Sequence, residues 1–173
     1  MMNQPGRNLE AASMSSIHVV DYHPAYQPAI DKMMDGIAVE FEEAITGPHS
    51  TRLPEVYGLP DRRYWVALAG EAVVGTSGLE LLAHGNAVLK RMMTNKEFRG
   101  AGGGLAVALL RTVVDWGRSQ GVKRIYLGTM AQFKAAQRFY LKHGFQEVAI
   151  ETLPCDLSVN PIDTLHYRLD LSD

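Results

Sequence analysis

The hydrophobic and polar positions in the first third of the chain change from a period of two to a period between three and four. Ser16–Asp21 alternates weakly and is followed by His23 and Pro24, which predicts a strand and then the beginning of a helix. Apolar residues next recur every three or four positions, namely Ile30, Met33, Met34, Ile37, Phe41 and Ile45. This spacing predicts a helix that runs to about Thr46. Residues 47–62 carry five glycine or proline residues and predict a loop, which could be a lid or a substrate loop.

The middle of the chain contains three strand-like runs separated by very short polar segments. The runs cover Tyr64–Ala69, Ala72–Leu82 and Ala87–Thr94. The separating segments contain Gly70 and Gly85, which suit tight turns. Three consecutive strands joined in this way predict an antiparallel meander.

The second half of the chain alternates between helix-like and strand-like patterns. In chain order the predicted elements are a helix from about Leu105 to Gly121, a strand over Lys123–Thr129, a helix from Phe133 to His143, and strands over Phe145–Ile150 and Thr164–Leu169. The whole order predicts an α/β (α+β) fold with a mixed sheet. We expect one domain over residues 16–173, behind a polar tail of residues 1–15 that is disordered.

Composition and charge exclude several classes of function. With 17 Lys and Arg against 19 Asp and Glu, the 173-residue chain has a net charge of −2, which argues against nucleic-acid binding and against a polybasic membrane-surface protein. No stretch reaches the roughly 18 apolar residues of a membrane span, and the N-terminal segment lacks the pattern of a signal peptide. A single cysteine, Cys155, excludes a disulfide within the chain and a zinc site built on several thiolates. We therefore expect a cytoplasmic protein with no metal site.

A cluster of glycines between a predicted strand and a predicted helix is the strongest candidate for a ligand site. The segment contains, in order, Arg99, Gly100, Ala101, Gly102, Gly103, Gly104 and Leu105. The first N–H groups of a helix have no partner within the helix, and glycines let a phosphate approach them closely. The cluster therefore predicts a phosphate cradle with Arg99 at its rim, although a flexible surface connection is the alternative.

Two familiar phosphate-binding motifs do not fit this cluster. A P-loop needs a lysine directly after a glycine, and no lysine follows any glycine here. A dinucleotide fingerprint would place Leu105 or Val107 where its third small residue belongs. The next strand also ends in Gly128 and Thr129, with no acidic residue for a ribose.

The spacing Arg99, two residues, Gly102, one residue, Gly104 resembles the Arg/Gln-x-x-Gly-x-Gly/Ala signature of the GNAT superfamily of acyl-CoA-dependent N-acetyltransferases. The segment Phe139–Phe145 resembles that family's later Phe-Tyr-x-x-x-Gly-Phe pattern. The likeness covers about residues 87–150 well and the earlier part only by the order of elements. It implies a mostly antiparallel sheet with a central parallel strand pair and helices on both faces. It also implies that acetyl-CoA is the co-substrate.

The resemblance also implies which residues bind the coenzyme. Backbone N–H groups from Arg99 to Leu105 would bind the pyrophosphate, and Met92, Met93 and Thr94 would pair with the pantetheine arm, as a peptide pairs with an open strand edge. The acyl group would lie in a gap between the strands carrying Met93 and Leu127. Many members have asparagine where this chain has Phe133, so the neighbouring Gln132 is the candidate for that amide contact.

Acetyl transfer to an amine requires two proton movements. An alkylammonium must lose a proton, and the departing thiolate must gain one. The resemblance places Tyr140 as the acid, with packing beside Phe139 as the alternative. Glu80 is the candidate base, although it could instead lie on a solvated strand face, and Glu40 and Glu43 are rivals.

The leading hypothesis is therefore direct attack by a small-molecule amine or amino acid on acetyl-CoA in a ternary complex. A non-catalytic acyl-CoA-binding domain and a protein lysine or N-terminal acetyltransferase are the alternatives. We expect acceptor specificity to lie in the first helix and in residues 47–62. Dimers are common in the family, so a homodimer is also expected.

Overall fold

The computed structural model describes residues 17–43, 58–99 and 104–171. The strands are β1 (Ile17–Asp21), β2 (Arg62–Ala69), β3 (Ala72–Leu81), β4 (Asn86–Thr94), β5 (Arg124–Thr129), β6 (Gln146–Val148) and β7 (Leu165–Asp170). The helices are α1 (Gln27–Ala38), α2 (Gly104–Ser119) and α3 (Lys134–Lys142). Within the described residues, no helix is long and apolar enough to cross a membrane. The predicted tail of residues 1–15, the end of the predicted first helix at residues 44–46, and residues 47–57 of the predicted loop lie outside the described residues.

The strands form one sheet in the order β1-β2-β3-β4-β5-β7-β6. Strands β2, β3 and β4 pair antiparallel, as the short connections between them predicted. The β4–β5 pair is parallel, and α2 provides the crossover between these two strands. The predicted mixed, mostly antiparallel fold with a central parallel pair is therefore confirmed.

Helices pack on both faces of the sheet because β2 and β3 are apolar on both sides. Tyr64 and Val66 of β2 pack with α1, whereas Ala67 and Ala69 of the same strand pack with α2. Successive side chains of a strand point to opposite faces, so these alternate residues belong to two separate cores. A strand buried on both faces reads as a continuous apolar run, which is the pattern of this segment.

Helix α2 contributes the longest buried stripe. Leu105, Leu109 and Val113 are fully buried at the predicted spacing of four residues. Its contact with the sheet is close at Gly75 of β3, where an added Cβ would lie 2.9 Å from a Leu109 methyl carbon. The helix ends before Gly121, which has a φ of +78° and so suits the position after a helix end.

The predicted first helix is too long at its C-terminal end. Helix α1 ends at Ala38, and the N–H of Glu40 donates to the carbonyl of Ile37 in a tighter final turn. Phe41 continues the apolar spacing, but its ring packs edge-on against Phe133 at 4.7 Å instead of extending the helix. A tertiary contact therefore accounts for an apolar residue that periodicity assigned to a helix.

The predicted strand over Phe145–Ile150 is also too long. Strand β6 covers only Gln146–Val148. Phe145 is buried in the core just ahead of the strand, and exposed Ile150 begins a short 3₁₀ turn. Phe145 thus contributes to the core and Ile150 lies in a turn, and neither apolar residue belongs to the strand.

Candidate functional site

The parallel pair at the centre of the sheet separates after a short stretch. Pairing between β4 and β5 ends at Val88 and Tyr126, although β4 continues to Thr94 and β5 to Thr129. A cavity of about 1550 Å³ occupies this opening and extends to both strands and to α1, α2 and α3. Backbone groups that no longer pair across the opening can bind an extended ligand chain, as a strand edge binds a peptide. The opening has the location that the resemblance implied for the acyl group.

A bulge in β4 lies beside this opening. Thr76 pairs with Met93 and Gly78 with Lys90, so two residues of β4, Arg91 and Met92, face a single residue of β3. Arg91 has a φ of +53°, which side-chain-bearing residues rarely adopt. The Thr76 hydroxyl donates a 2.8 Å hydrogen bond to the Arg91 carbonyl and so stabilises the bulge. The bulge changes the direction of β4 at its end, where Met92, Met93 and Thr94 all line the cavity.

The predicted phosphate cradle is described only at its two ends. Gly100, Ala101, Gly102 and Gly103 lie outside the described residues. Gly104 is exposed as the first residue of α2, and the Leu105 side chain is fully buried, so Leu105 can offer only its backbone to a ligand. The cradle itself stays a prediction.

Arg99, the predicted cation at the rim, is paired with a carboxylate. Its two terminal nitrogens donate to both carboxylate oxygens of Glu40 at 2.8 Å, and Nε donates to the Thr94 carbonyl at 2.9 Å. This is the fork geometry in which guanidinium also binds phosphate. Glu40, a rival candidate for the base, is therefore occupied by Arg99.

The segment after α1 also contacts the other side of the opening. The Gln132 side-chain amide exchanges two 3.2 Å hydrogen bonds with the backbone of Glu43, and Phe133 packs against Phe41. We call residues 40–43 the bridging segment, because they reach from Arg99 to Gln132 and Phe133. Gln132 thus lines the cavity as predicted for a ligand-binding residue, but its amide is bonded to the bridging segment.

Glu80 lies on the cavity side of the sheet. Its neighbour Leu79 contacts Gly117 of α2, so Glu80 points to the opposite face, which carries α1. Its side chain is 14% exposed, and its two oxygens form ion pairs with Arg62 at 3.2 Å and with Lys90 at 3.4 Å. The solvated-face alternative is therefore wrong.

Tyr140 packs in the core, as the alternative predicted, and it also lines the cavity, which leaves its role as the acid a prediction. Its ring packs against Phe145 at 5.3 Å and Tyr167 at 6.2 Å, yet the residue also lines the cavity. Burial raises the pKa of the Tyr140 hydroxyl well above its usual value, and the nearby Asp163 carboxylate raises it further. The hydroxyl therefore stays protonated at neutral pH and can donate a proton.

Asp163, which precedes β7, is not among the residues predicted from the sequence. An added Cβ at Gly128 of β5 would lie 2.5 Å from an Asp163 carboxylate oxygen, so this carboxylate lies directly over the strand. Burial raises the Asp163 pKa to about 6, against the opposing effect of Lys90. His166 pairs in register with Gly128 and shares its face, and burial lowers the pKa of this histidine. No motif marks Asp163, because it lies 34 positions after Thr129 along the chain.

Together these side chains form what we call the acceptor face, defined by Arg62, Glu80, Lys90, Asp163 and His166. Register places Arg62, Glu80, Lys90 and His166 on the face of the sheet that carries α1, and Asp163 covers Gly128 on that face. The face offers cations, carboxylates and a neutral imidazole beside the opening. Among the described residues, no three His, Cys, Asp or Glu side chains group closely enough to hold a metal ion.

Comparisons with known proteins give a consistent result. The family model described as "Acetyltransferase (GNAT) family" matches residues 30–145. The chain is 30% identical to the uncharacterized N-acetyltransferase YedL of Escherichia coli (strain K12), over 72% of this chain and 77% of that protein. It is also 33% identical to N-acetylaspartate synthetase of Danio rerio. That match covers 64% of this chain but only 42% of the longer synthetase.

Solved structures agree at the level of the fold. An acetyltransferase of the GNAT family from Staphylococcus aureus Mu50 superimposes with a TM-score of 0.82 at 25% identity, covering 91% of this chain and 100% of that one. N-acetylglutamate synthase from Neisseria gonorrhoeae, solved with coenzyme A and N-acetyl-glutamate, has a TM-score of 0.73 at 15% identity. That match covers 93% of this chain and 36% of the synthase, and it shows the fold alone.

Proposed function

Because the chain belongs to the acetyltransferase (GNAT) family and is an acyl-CoA-dependent acyltransferase, we propose that it transfers an acetyl group from acetyl-CoA to an amine. The acceptor we propose is the primary amine of a small molecule or amino acid, which attacks directly in a ternary complex. The observation that carries this proposal is the opening between β4 and β5. It connects the side of the sheet carrying α2 with the acceptor face, so a thioester and an amine can meet within it.

The cofactor side, as we define it, consists of the end of β4 at residues 92–94 and of residues 99–105. We propose that backbone N–H groups of Arg99 to Leu105 bind the pyrophosphate and that residues 92–94 pair with the pantetheine arm. Two observations support the fit: the end of β4 has no strand partner toward β5, and α2 begins beside it with an exposed glycine. Gln132 and Phe133 would border the arm from the opposite side of the opening.

The chemistry we propose uses Tyr140 as the acid that protonates the departing thiolate. Burial keeps its hydroxyl protonated, and general acid catalysis of this kind contributes about 10²–10⁴-fold to rate. Glu80, whose carboxylate faces the cavity, is the candidate base from the sequence and would act directly or through water. Regular secondary structure would hold both side chains in place, since Glu80 lies on β3 and Tyr140 lies on α3.

We also propose where the protein acts and in what form. A cytoplasmic protein agrees with the single cysteine, which is exposed and free. A single acetyltransferase domain over residues 16–173 and a homodimer complete the proposal.

The test is an amine panel assayed with acetyl-CoA for release of the free thiol. The panel contains amino acids, small alkylamines and polyamines, together with peptides that carry a free N-terminus or a lysine. Thiol release with a small amine, together with the acetylated product by mass spectrometry, is the expected result. Acetylation of the peptides alone would replace the small-molecule proposal. Thermal stabilisation by acetyl-CoA without thiol release would instead indicate a binding domain.

A further inference from the structure

Asp163 differs from the other carboxylates of the cavity in what surrounds its oxygens. Glu80 has a cation on each oxygen, and Glu40 receives both terminal nitrogens of Arg99. Within the described part of the chain, no ion pair or hydrogen bond reaches the Asp163 carboxylate. With respect to residues 17–43, 58–99 and 104–171, the lone pairs of its oxygens are therefore available to a ligand in the cavity.

The position of Asp163 is set by its backbone and by a glycine. Its N–H donates to the Asn160 carbonyl at 3.0 Å, and the N–H of Thr164 donates to the Thr129 carbonyl at 3.0 Å. Neither bond involves the side chain. The missing Cβ of Gly128 leaves the space in which the carboxylate lies over β5. A strand glycine often marks such a close approach.

The electrostatic surroundings suit a group that exchanges a proton. Among the described residues, the titratable groups that face the carboxylate include Lys90 of β4, Tyr140 of α3 and His166 of β7, and Lys90 forms an ion pair with Glu80 of β3. Burial disfavours the charged carboxylate, while Lys90 favours it. The balance leaves Asp163 ionised at neutral pH but ready to accept a proton.

We propose that Asp163 is the carboxylate that binds the acceptor ammonium and takes its proton, with Glu80 positioning Lys90 beside it. This inference rests on the proposed transfer to an amine. It replaces Glu80 as the direct base, because the geometry leaves Asp163 oxygens open at the β5 side of the opening.

The reaction balances with two proton-handling groups. The ammonium gives one proton to Asp163, and the amine attacks the thioester carbonyl carbon to form the C–N bond. The C–S bond breaks with its electron pair on sulfur, which takes the Tyr140 proton and leaves as the thiol. The protonated amide returns a proton to the Tyr140 oxygen, and Asp163 releases its proton to water. The products are the acetylated amine, free coenzyme A and one proton.

The experiment compares Asp163→Asn with Glu80→Gln, using the best amine from the panel. Wild type should show kcat/KM rising with pH through about 6, as Asp163 ionises. We expect Asp163→Asn to lower kcat/KM by about 10²-fold or more and to remove this limb. Glu80→Gln should lower kcat/KM less and should only displace the limb. Thermal stabilisation by acetyl-CoA should be unchanged in Asp163→Asn.

A second variant keeps the carboxylate but moves it. Gly128→Ala places a methyl group where the Asp163 oxygens lie, so it should lower kcat/KM as Asp163→Asn does. The inference is overturned if both variants retain wild-type kcat/KM and the same pH limb, or if only Glu80→Gln removes the limb. If Asp163→Asn does not fold, Gly128→Ala decides alone. A wild-type protein that acetylates no amine would refute the proposed function instead.

Discussion

The cofactor side and the acceptor face are built in different ways. The proposed cofactor side comes from one stretch of chain, which includes the end of β4 and the beginning of α2, and the contacts proposed for it are mainly with backbone groups. The acceptor face collects side chains from β2, β3, β4, β7 and the loop before β7, spread over more than half of the chain. A backbone site depends on conformation and on small residues, whereas a side-chain site depends on the identity of each group. The comparison therefore predicts opposite sensitivities to substitution.

The largest effect should come from filling the cofactor side. No atom of the described residues lies within 4 Å of an added Cβ at Gly104, so a side chain there should leave the described fold intact and obstruct the ligand. We expect Gly102→Val with Gly104→Val to weaken acetyl-CoA binding at least about 100-fold, measured by calorimetry, because phosphate binding needs close backbone approach. Gly36→Ala, in an equally open position on α1, is the control and should bind normally. Normal binding by the double variant would place the pyrophosphate elsewhere.

The next largest effect tests whether Tyr140 is the acid that acts between the cofactor side and the acceptor face. Tyr140→Phe keeps the ring packing against Phe145 and removes only the hydroxyl. We expect the rate of a single turnover to fall about 100-fold with little change in KM for acetyl-CoA, since the proton donor to sulfur is lost. Phe139→Leu, which alters the neighbouring ring without touching the hydroxyl, is the control. An unchanged single-turnover rate would rule out Tyr140 as the acid.

A smaller effect should follow from breaking the contact between Arg99 of the proposed cofactor side and Glu40 of the bridging segment. Glu40→Gln removes the charge that holds the guanidinium, and phosphate would then no longer compete with a carboxylate. We expect acetyl-CoA to bind about threefold more tightly in low salt, whereas Glu42→Gln, on an exposed residue, should change nothing. Weaker binding would mean instead that the bridging segment helps to hold the coenzyme.

The last effect concerns the free energy of unfolding and not ligand binding. Folding raises the pKa of Asp163 from 3.8 to about 6, so this group favours the folded state most below pH 3.8, and that contribution is lost as pH rises through 6. Relative to wild type, Asp163→Asn should therefore gain about 1 kcal/mol between pH 4 and pH 8, after allowance for solvent screening. This corresponds to about 2–4 °C in Tm. A Tm difference that does not vary with pH would contradict the burial of this carboxylate.

Much of the fold was predictable because strand alternation and helical spacing are local. The meander β2-β3-β4 and the buried stripe of α2 were predicted and are confirmed. The errors occur where an apolar residue serves a distant contact: Phe41 packs on Phe133, and Phe145 enters the core ahead of β6. Periodicity detects that a residue is buried, but it does not identify the partner.

The candidate site likewise has a part that could be predicted from the sequence and a part that could not. A motif of neighbouring residues, Arg99 to Gly104, is enough to indicate a phosphate cradle, because the partnerless N–H groups of a helix beginning are a local property. The face of Glu80, the pairing of Arg99 with Glu40 and the presence of Asp163 over Gly128 depend on register and on a loop that returns to β5 from far along the chain. Short-range pattern thus indicates the family and predicts the cofactor side. Which carboxylate meets the amine follows from the three-dimensional fold, because charge, burial and distance act between groups that the sequence separates.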